Sequence, residues 1–239
     1  MKKIESFDFQ PGEVILKKYE ILDVLGKGWE AEVYLVKEIA TGIERAAKFF
    51  YPHRNPREKA SKFYAKKLHK LRSCSILIQY FGQETIYVEG EPVIFLVSEF
   101  IDGEQLSDFL KRQPGQRLSY FAALHFLHAL AEGMEDIHRL KEYHGDLHSE
   151  NILIERSGLK FQLKVLDLYQ YGRASAEDVK DDVVDMIQIF YDVLGGRKHY
   201  SKLPKEIKDI CCGLKKSLIL QKFRTAGQLK NYIENLEWE

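Results

Sequence analysis

Cysteine is scarce in these 239 residues: there are three, Cys74, Cys211 and Cys212. Adjacent cysteines rarely pair with each other and no C-x-x-C spacing occurs. That excludes a disulfide framework or zinc site as the working expectation and favours reduced, partly buried thiols. An excess of charge of one sign is also missing. Lysine plus arginine equals aspartate plus glutamate at 36 each. No global field therefore recommends nucleic acid or a membrane surface as a partner, although local basic patches fit the same balance. No apolar run approaches the length of a membrane-spanning helix. The stretch Met1-Lys2-Lys3-Ile4-Glu5 continues into polar and acidic residues and lacks the apolar core of a signal peptide. Repeats, low-complexity tracts and long linkers are lacking too. The expectation is a soluble, cytoplasmic protein. What is present is a core-forming chain, 45% hydrophobic and 12% aromatic, sufficient for one compact domain or two small lobes.

The first hundred residues read as strands with one helix. Tyr19–Leu25, Glu32–Val36 and Arg45–Phe50 are short apolar or alternating runs, separated by Gly26-Lys27-Gly28 and Thr41-Gly42, which are turn chemistry. Asn55-Pro56 opens a helix whose apolar stripe is Ala60, Phe63, Ala65, Leu68 and Leu71. That helix also carries Lys59, Lys62, Lys66, Lys67 and Lys70, flanked by Arg54, Arg57 and Arg72. A solvated face is the ordinary reading of such charge; a docking patch for an acidic protein or a phosphate-bearing substrate is the alternative. Thr85–Val88 and Val93–Phe100 read as a hairpin around Glu89-Gly90-Glu91. Beyond it, Leu106–Lys111, Ser119–Leu140, Asp181–Leu194 and Lys205–Leu220 carry helical periodicity, interrupted by a strand pair near Ile152–Ile154 and Leu163–Leu166. Strands first and helices after predict α+β segregation, with a hinge near Glu99–Gly103.

The most informative stretch is His144-Gly145-Asp146-Leu147-His148-Ser149-Glu150-Asn151-Ile152-Leu153-Ile154. It sets an Asp and an Asn five residues apart, directly before a short apolar strand. Phosphoryl transfer needs a carboxylate to take the acceptor hydroxyl's proton and a further ligand to hold metal on the phosphates. One tight loop with Asp146 and Asn151 supplies both. The pattern H-x-D-L-x-x-x-N resembles the catalytic-loop signature of the protein-kinase-like superfamily.

Further segments, in the right order, extend that resemblance. Leu25-Gly26-Lys27-Gly28-Trp29-Glu30-Ala31-Glu32-Val33 sits between two predicted strands, where glycines let backbone N–H groups approach phosphates. Taken alone it reads as an ordinary hairpin turn, and the third glycine of the family pattern is Ala31 here. Twenty residues after Gly28, Arg45-Ala46-Ala47-Lys48 places a lysine in an apolar strand. Such an ammonium needs a partner or must snorkel to water. Ala-x-Lys resembles the strand lysine that grips the α- and β-phosphates. Asp167, after Leu163-Lys164-Val165-Leu166, resembles the Mg²⁺-chelating Asp. The family usually reads D-F-G where this chain has Asp167-Leu168-Tyr169; Leu168 can serve as the packing knob, and the missing glycine removes a backbone pivot. Leu96–Gly103 resembles the hinge, implying backbone contacts to adenine near Glu99 and Ile101 and a small gatekeeper in Ser98. Val33, Ala46 and Leu153 match the residues that sandwich the ring, while also reading as plain core. Asp182–Gly196 resembles the central helix whose Asp supports the catalytic loop, and Phe223–Leu229 the closing R-x-T-x-x-x-L helix segment. The likeness runs from about Tyr19 to Leu236.

The resemblance implies one kinase-like domain over residues 1–239, a bilobal α+β fold with a strand-rich lobe at 1–101 and a helical lobe at 102–239. It implies ATP and Mg²⁺, or Mn²⁺, as cofactors. The departures refine this. Tyr64 falls where the family's helix carries the Glu that pairs with the strand lysine, and Glu58 lies six residues earlier. Either Glu58, Glu30 or Glu32 substitutes, or no carboxylate takes that role, which argues for weak activity or a pseudokinase. Gly145 replaces the Arg that normally receives an activation-loop phosphate. His148 replaces the usual Lys and reads either as a γ-phosphate contact or as a polar loop residue. Only 14 residues separate Asp167 from Asp182, a shortened activation segment without the peptide-docking platform, so Arg224 loses its usual partner. Three functions compete: a minimal bacterial Ser/Thr-type protein kinase, a small-molecule or lipid-precursor kinase, and a nucleotide-binding pseudokinase scaffold. In the first, Asp146 deprotonates the acceptor, Lys48 holds phosphates, and Asn151 and Asp167 bind Mg²⁺. The expected partners are ATP and a protein or small-molecule hydroxyl, without nucleic acid or a membrane span; the oligomeric state is not legible.

Overall fold

Period-two alternation makes Ala31–Glu38 a strand: Glu32, Tyr34 and Val36 fall on one side of the pleat, Val33 and Leu35 on the other. The computed structural model describes residues 3–158, 160–168 and 174–237. Within them the chain divides into two units, Met1–Ser73 with Ile78–Asp102, and Cys74–Leu77 with Gly103–Glu239. The first unit is an antiparallel sheet of β1 (Val14–Ile15), β2 (Tyr19–Lys27), β3 (Ala31–Glu38), β4 (Glu44–Phe50), β5 (Tyr80–Val88) and β6 (Glu91–Glu99). The strand order is β1-β2-β3-β4-β6-β5. The predicted strands are present and longer than their apolar cores suggested.

One face of this sheet buries Tyr34, Val36, Phe49, Phe95 and Val97, and the N-terminal segment covers it with Ile4, Phe7 and Phe9. Phe49 stacks on Phe95 at 4.4 Å between centroids, and Phe7 stacks on Tyr51 at 5.3 Å. Glu32 is wholly buried beneath this segment, accepting from the hydroxyls of Tyr34 and Tyr51 and from the Phe7 N–H. Burial pushes its carboxyl up, but the two phenols, with Ser6 and the Phe7 amide, hold it below the ordinary glutamate value.

α1 (Lys59–Lys70) packs on β5 and β6. Its start departs from the sequence expectation. Pro56–Glu58 is a separate 3₁₀ turn, because Arg57 and Glu58 take left-handed backbone angles (φ 54° and 58°). Asn55 reaches across it, its amide donating to Ser61 Oγ and accepting from the Ser61 N–H, which satisfies one orphan donor of the new helix. The expected apolar stripe is also rotated. Tyr64 is buried, whereas Phe63 is 40% exposed.

The second unit carries a three-stranded sheet, β7 (Glu104–Gln105), β8 (Ile152–Ser157) and β9 (Lys160–Val165), and helices α2 (Leu106–Arg112), α3 (Tyr120–Arg139), α4 (Ala176–Val193), α5 (Arg197–Tyr200), α6 (Lys205–Cys211), α7 (Lys216–Lys222) and α8 (Ala226–Glu234). α3 is the central element, packed by α4, α8 and β9. α4 begins five residues earlier than periodicity indicated, because Ser175 and Asp178 form a capping box ahead of the apolar run. The expected single helix over Lys205–Leu220 is broken: Cys212, Gly213 and Leu214 take φ of 50°, 59° and 58°, and α6 and α7 flank that turn. The three cysteines are free thiols, Cys74 and Cys211 buried. Among the described residues no helix is long and apolar enough to cross a membrane.

Candidate active site

Register decides which side chains of the first unit share a face, since directly opposed residues in antiparallel strands point the same way. Val33 opposes both Gly26 and Lys48, and Ala46 opposes Leu35 and Ser98. Four residues singled out from sequence, Gly26, Val33, Ala46 and Lys48, thus lie on one face. Gly28 closes the adjoining turn, its N–H donating to Ala31 O at 2.9 Å. At the turn's tip the Arg54 guanidinium lies 4.4 Å from the Trp29 ring centroid.

The Lys48 ammonium stands 4.7 Å from the centroid of Tyr64 and 5.8 Å from that of Phe50. Tyr64 therefore meets Lys48 with an aromatic face, a contact of about 0.5–2 kcal/mol according to its solvation. Two of the acids considered as substitutes are engaged elsewhere. Glu58 pairs with Lys62 at 3.1 Å. Glu32 opposes Phe49, which puts it on the opposite side of the sheet from Lys48. At the end of β6, Ser98 Oγ donates to Ala46 O. The Glu99 N–H donates to Gln79 O at 2.8 Å, so a ligand contact from the Glu99 backbone would fall to its carbonyl. Ile101 is half-buried in the extended segment that follows.

In the second unit the loop His144–Asn151 is built around Asp182. This wholly buried carboxylate accepts from the backbone N–H of His144 and of Gly145, both at 2.8 Å, and from His138 Nε2 at 3.0 Å. Gly145 can present its amide because its φ is 80°, a conformation that disfavours any side chain. His144 is also buried. The Asp146 N–H donates to its Nδ1 at 3.2 Å, which leaves Nε2–H to donate to Leu166 O at 2.8 Å. The Leu166 N–H in turn donates to Asn151 O at 2.8 Å. Those bonds tie the loop to the segment carrying Asp167, which adopts a left-handed φ of 53°, and Leu168 is buried as expected of a packing knob. Tyr169 and the rest of 169–173 lie outside the described residues.

Asn151 is buried, and its amide nitrogen donates to Asp146 O at 2.9 Å and lies 2.9 Å from His148 Nε2. The bond to Asp146 O engages the nitrogen and leaves the amide oxygen as the group's acceptor. The Asp146 carboxylate, by contrast, is 60% exposed while its backbone is pinned at both ends. His148 Nε2 lies 3.7 Å from that carboxylate, and its Nδ1 accepts from the Glu150 N–H. Asn151 and Asp167 offer hard oxygen donors of the kind Mg²⁺ takes. Among the described residues no group of three or more His, Cys, Asp or Glu is arranged to hold a metal by itself, so phosphate oxygens and water would complete such a shell. Leu153 sits on β8, paired with Gln105 and Lys164, in a different unit from Val33 and Ala46.

Two residues of this site were missed from sequence. His138, on α3, was not distinguished from the rest of that helical run, yet it meets Asp182 with a largely buried side chain. Asp185, one turn beyond Asp182, is raised to about 6 by burial and by the charges of Asp182, Asp181 and Asp146. The short spacing D-x-x-D was the available signal for the latter.

A strand-rich unit with a glycine turn and a strand lysine, followed by a helical unit with an Asp/Asn loop tied to a second Asp, defines a protein-kinase-like fold. Residues 19–188 match the protein kinase domain family, and the chain belongs to that family. It is 28% identical over 206 residues to cyclin-dependent kinase B2-2 of Arabidopsis thaliana, covering 80% of this chain and 62% of that protein. It is 29% identical over 167 residues to the serine/threonine-protein kinase PknA of Corynebacterium glutamicum, covering 69% of this chain and 34% of that one. Serine/threonine-protein kinase pkn2 of Myxococcus xanthus is 28% identical over 196 residues, covering 80% and 22%. The chain spans less than two thirds of the length of each of these relatives.

Proposed function

We propose that this chain is an ATP-dependent phosphotransferase of the protein kinase class, a minimal Ser/Thr-type form that moves the γ-phosphate to a hydroxyl. The observation that supports this best is the loop His144–Asn151, which holds its backbone rigidly on Asp182 while leaving the Asp146 carboxylate exposed to an acceptor. Asp146 would orient the acceptor hydroxyl and take its proton. The hydroxyl oxygen forms a bond to the γ-phosphorus as the bond to the β-phosphate oxygen breaks, and ADP leaves. Lys48 would hold the α- and β-phosphates, Gly26 and Gly28 would let the backbone approach them, and the Glu99 carbonyl and Ile101 amide would meet the adenine edge. Asn151 and Asp167 would hold Mg²⁺, or Mn²⁺, which supplies neutralisation of the phosphate charge. With Nδ1 accepting from the Glu150 N–H, His148 would lend its Nε2–H as a donor near the γ-phosphate.

A second reading is a nucleotide-binding scaffold without transfer, favoured by Tyr64 standing against Lys48 where the family has a carboxylate. Labelled-ATP turnover with Mg²⁺ or Mn²⁺ separates the two. Transfer to itself or a generic protein by wild type, lost in Asp146→Ala and Asp167→Ala, supports the enzyme. Tight ATP binding with no transfer to protein, water or a metabolite panel would sink it and leave the scaffold. Transfer to a metabolite alone would move the acceptor to a small molecule. Lys48→Ala should lower nucleotide affinity or transfer; unchanged values of both would remove Lys48 from the assignment.

A further inference from the structure

The chain is electrically neutral overall, yet residues 54–72 hold eight lysines and arginines against one acid, Glu58. Most of that charge lies on α1 and its flanks, and Arg57, Lys59, Lys62, Lys66 and Arg72 are exposed. At about 100° per residue, Lys59, Lys62, Phe63, Lys66 and Lys70 fall in one stripe along the helix, about 16 Å from end to end. The opposite stripe, with Ala60, Tyr64 and Leu68, is buried. In the middle of the exposed stripe stands Phe63, 40% exposed, with lysines at neighbouring positions of the stripe.

This arrangement works against the helix that carries it. The first turn of α1 holds no acid, and its N-cap Glu58 is left-handed with no side-chain cap. Lys59 and Lys62 sit at the positive end of the helix dipole, where cations are disfavoured. Lys62 with Lys66 is a like-charge i,i+4 pair, which opposes helix formation. The Glu58–Lys62 contact at 3.1 Å is partly exposed and offsets little of this. A docked anion would relieve both the unfavourable placement of Lys59 and Lys62 at the helix start and the Lys62–Lys66 repulsion.

We propose that the exposed face of α1 is a docking site for an acidic segment of a partner protein, with an apolar side chain of that segment covering Phe63. Charge complementarity selects the acidic character, since Coulomb attraction to a stripe of lysines steers encounter and sets register. Phe63 selects protein over the other polyanions. A nucleic-acid duplex backbone brings phosphates but no apolar group for the ring, and an anionic membrane needs more than one protruding apolar side chain to hold a helix face. The proposal concerns binding and stands independently of whether the chain transfers phosphate.

The test is fluorescence anisotropy on the full chain with a labelled peptide of about 12 residues, acidic apart from one central leucine, long enough to cover the stripe when extended. The peptide is expected to bind wild type at low salt and to weaken as salt rises toward physiological strength. Combined Lys59→Gln, Lys62→Gln and Lys66→Gln should weaken binding at least about tenfold, and Phe63→Ala alone about threefold. Because the three changes remove repulsion, the combined variant is expected to melt no lower than wild type, and Phe63→Ala reads the same site with every charge kept. Absence of peptide binding, or equal binding by the combined variant, would overturn the proposal. So would tighter binding of a DNA duplex or of phosphatidylserine vesicles than of the peptide.

Discussion

A single buried carboxylate organises the Asp/Asn loop. Asp182 takes three donors and is wholly buried. Asp182→Ala would orphan those donors, and about 3–5 kcal/mol of stability should be lost, read from urea denaturation. Asp182→Asn should cost less, since the amide oxygen still accepts. If the alanine variant unfolds with the wild-type midpoint, the loop is anchored elsewhere. Asp185 behaves in the opposite sense. Burial and neighbouring acids raise it to about 6, so the folded state favours its protonated form. Stability from this group is therefore gained as pH falls through 6 toward 4 and is absent at pH 8. Asp185→Asn should raise the unfolding free energy at pH 8, read from urea denaturation, by about 1 kcal/mol after discounting for partial exposure, with the gain vanishing near pH 4. A gain that is the same at both pH values would show that the charge is not its source. At this scale the sequence singled out Asp146, Asn151, Lys48 and Asp182 as candidates, because each stands in a motif of fixed spacing. It could not show that Tyr64 meets Lys48 or that Glu32 faces away, since both follow from register and helix rotation.

Elements were legible where periodicity and turn residues agreed, as in β3, β4 and α3. They were misread where local backbone chemistry outweighs the apolar pattern. Cys212-Gly213-Leu214 divides α6 from α7 although the flanking residues carry helical periodicity, and the glycine was the signal. Ser175 and Asp178 start α4 in a polar stretch that hydrophobic spacing does not register. Close approach is a further property of elements. Gly133 lies on α3 where a Cβ would sit 2.6 Å from Ile76 Cβ. Gly133→Ala should therefore destabilise by about 1–3 kcal/mol despite alanine's better helix propensity, and Ile76→Ala in the same chain should restore part of the loss by removing the Cδ1 and Cγ1 atoms that a new Cβ would also meet, while the Cβ contact remains. Thermal melts of the single and double variants measure both effects; a stabilised Gly133→Ala protein would contradict the packing.

For the whole molecule, the balance of charge sets its colloidal behaviour. With a net charge near zero and an isoelectric point near 7.1, self-repulsion is weakest at neutral pH. Solubility should pass through a minimum near pH 7 and rise on either side, which light scattering across a pH series will show. A flat profile would mean that a localised patch, such as the basic face of α1, controls association instead. The candidate functional residues are likewise distributed, with Lys48 and the glycine turn in one unit and Asp146, Asn151 and Asp167 in the other.

Residue order and spacing were enough to reveal the kinase family and its α+β character, because motif spacing and hydrophobic period are properties of the chain itself. The environment of each group came from the fold. Which face Lys48 shares depends on strand register, which donors Asp182 gathers depends on packing between α3, α4 and the loop, and whether Phe63 is core or surface depends on the rotation of α1 against β5 and β6. Each of these is a long-range contact between segments far apart in sequence, and no local pattern encodes it.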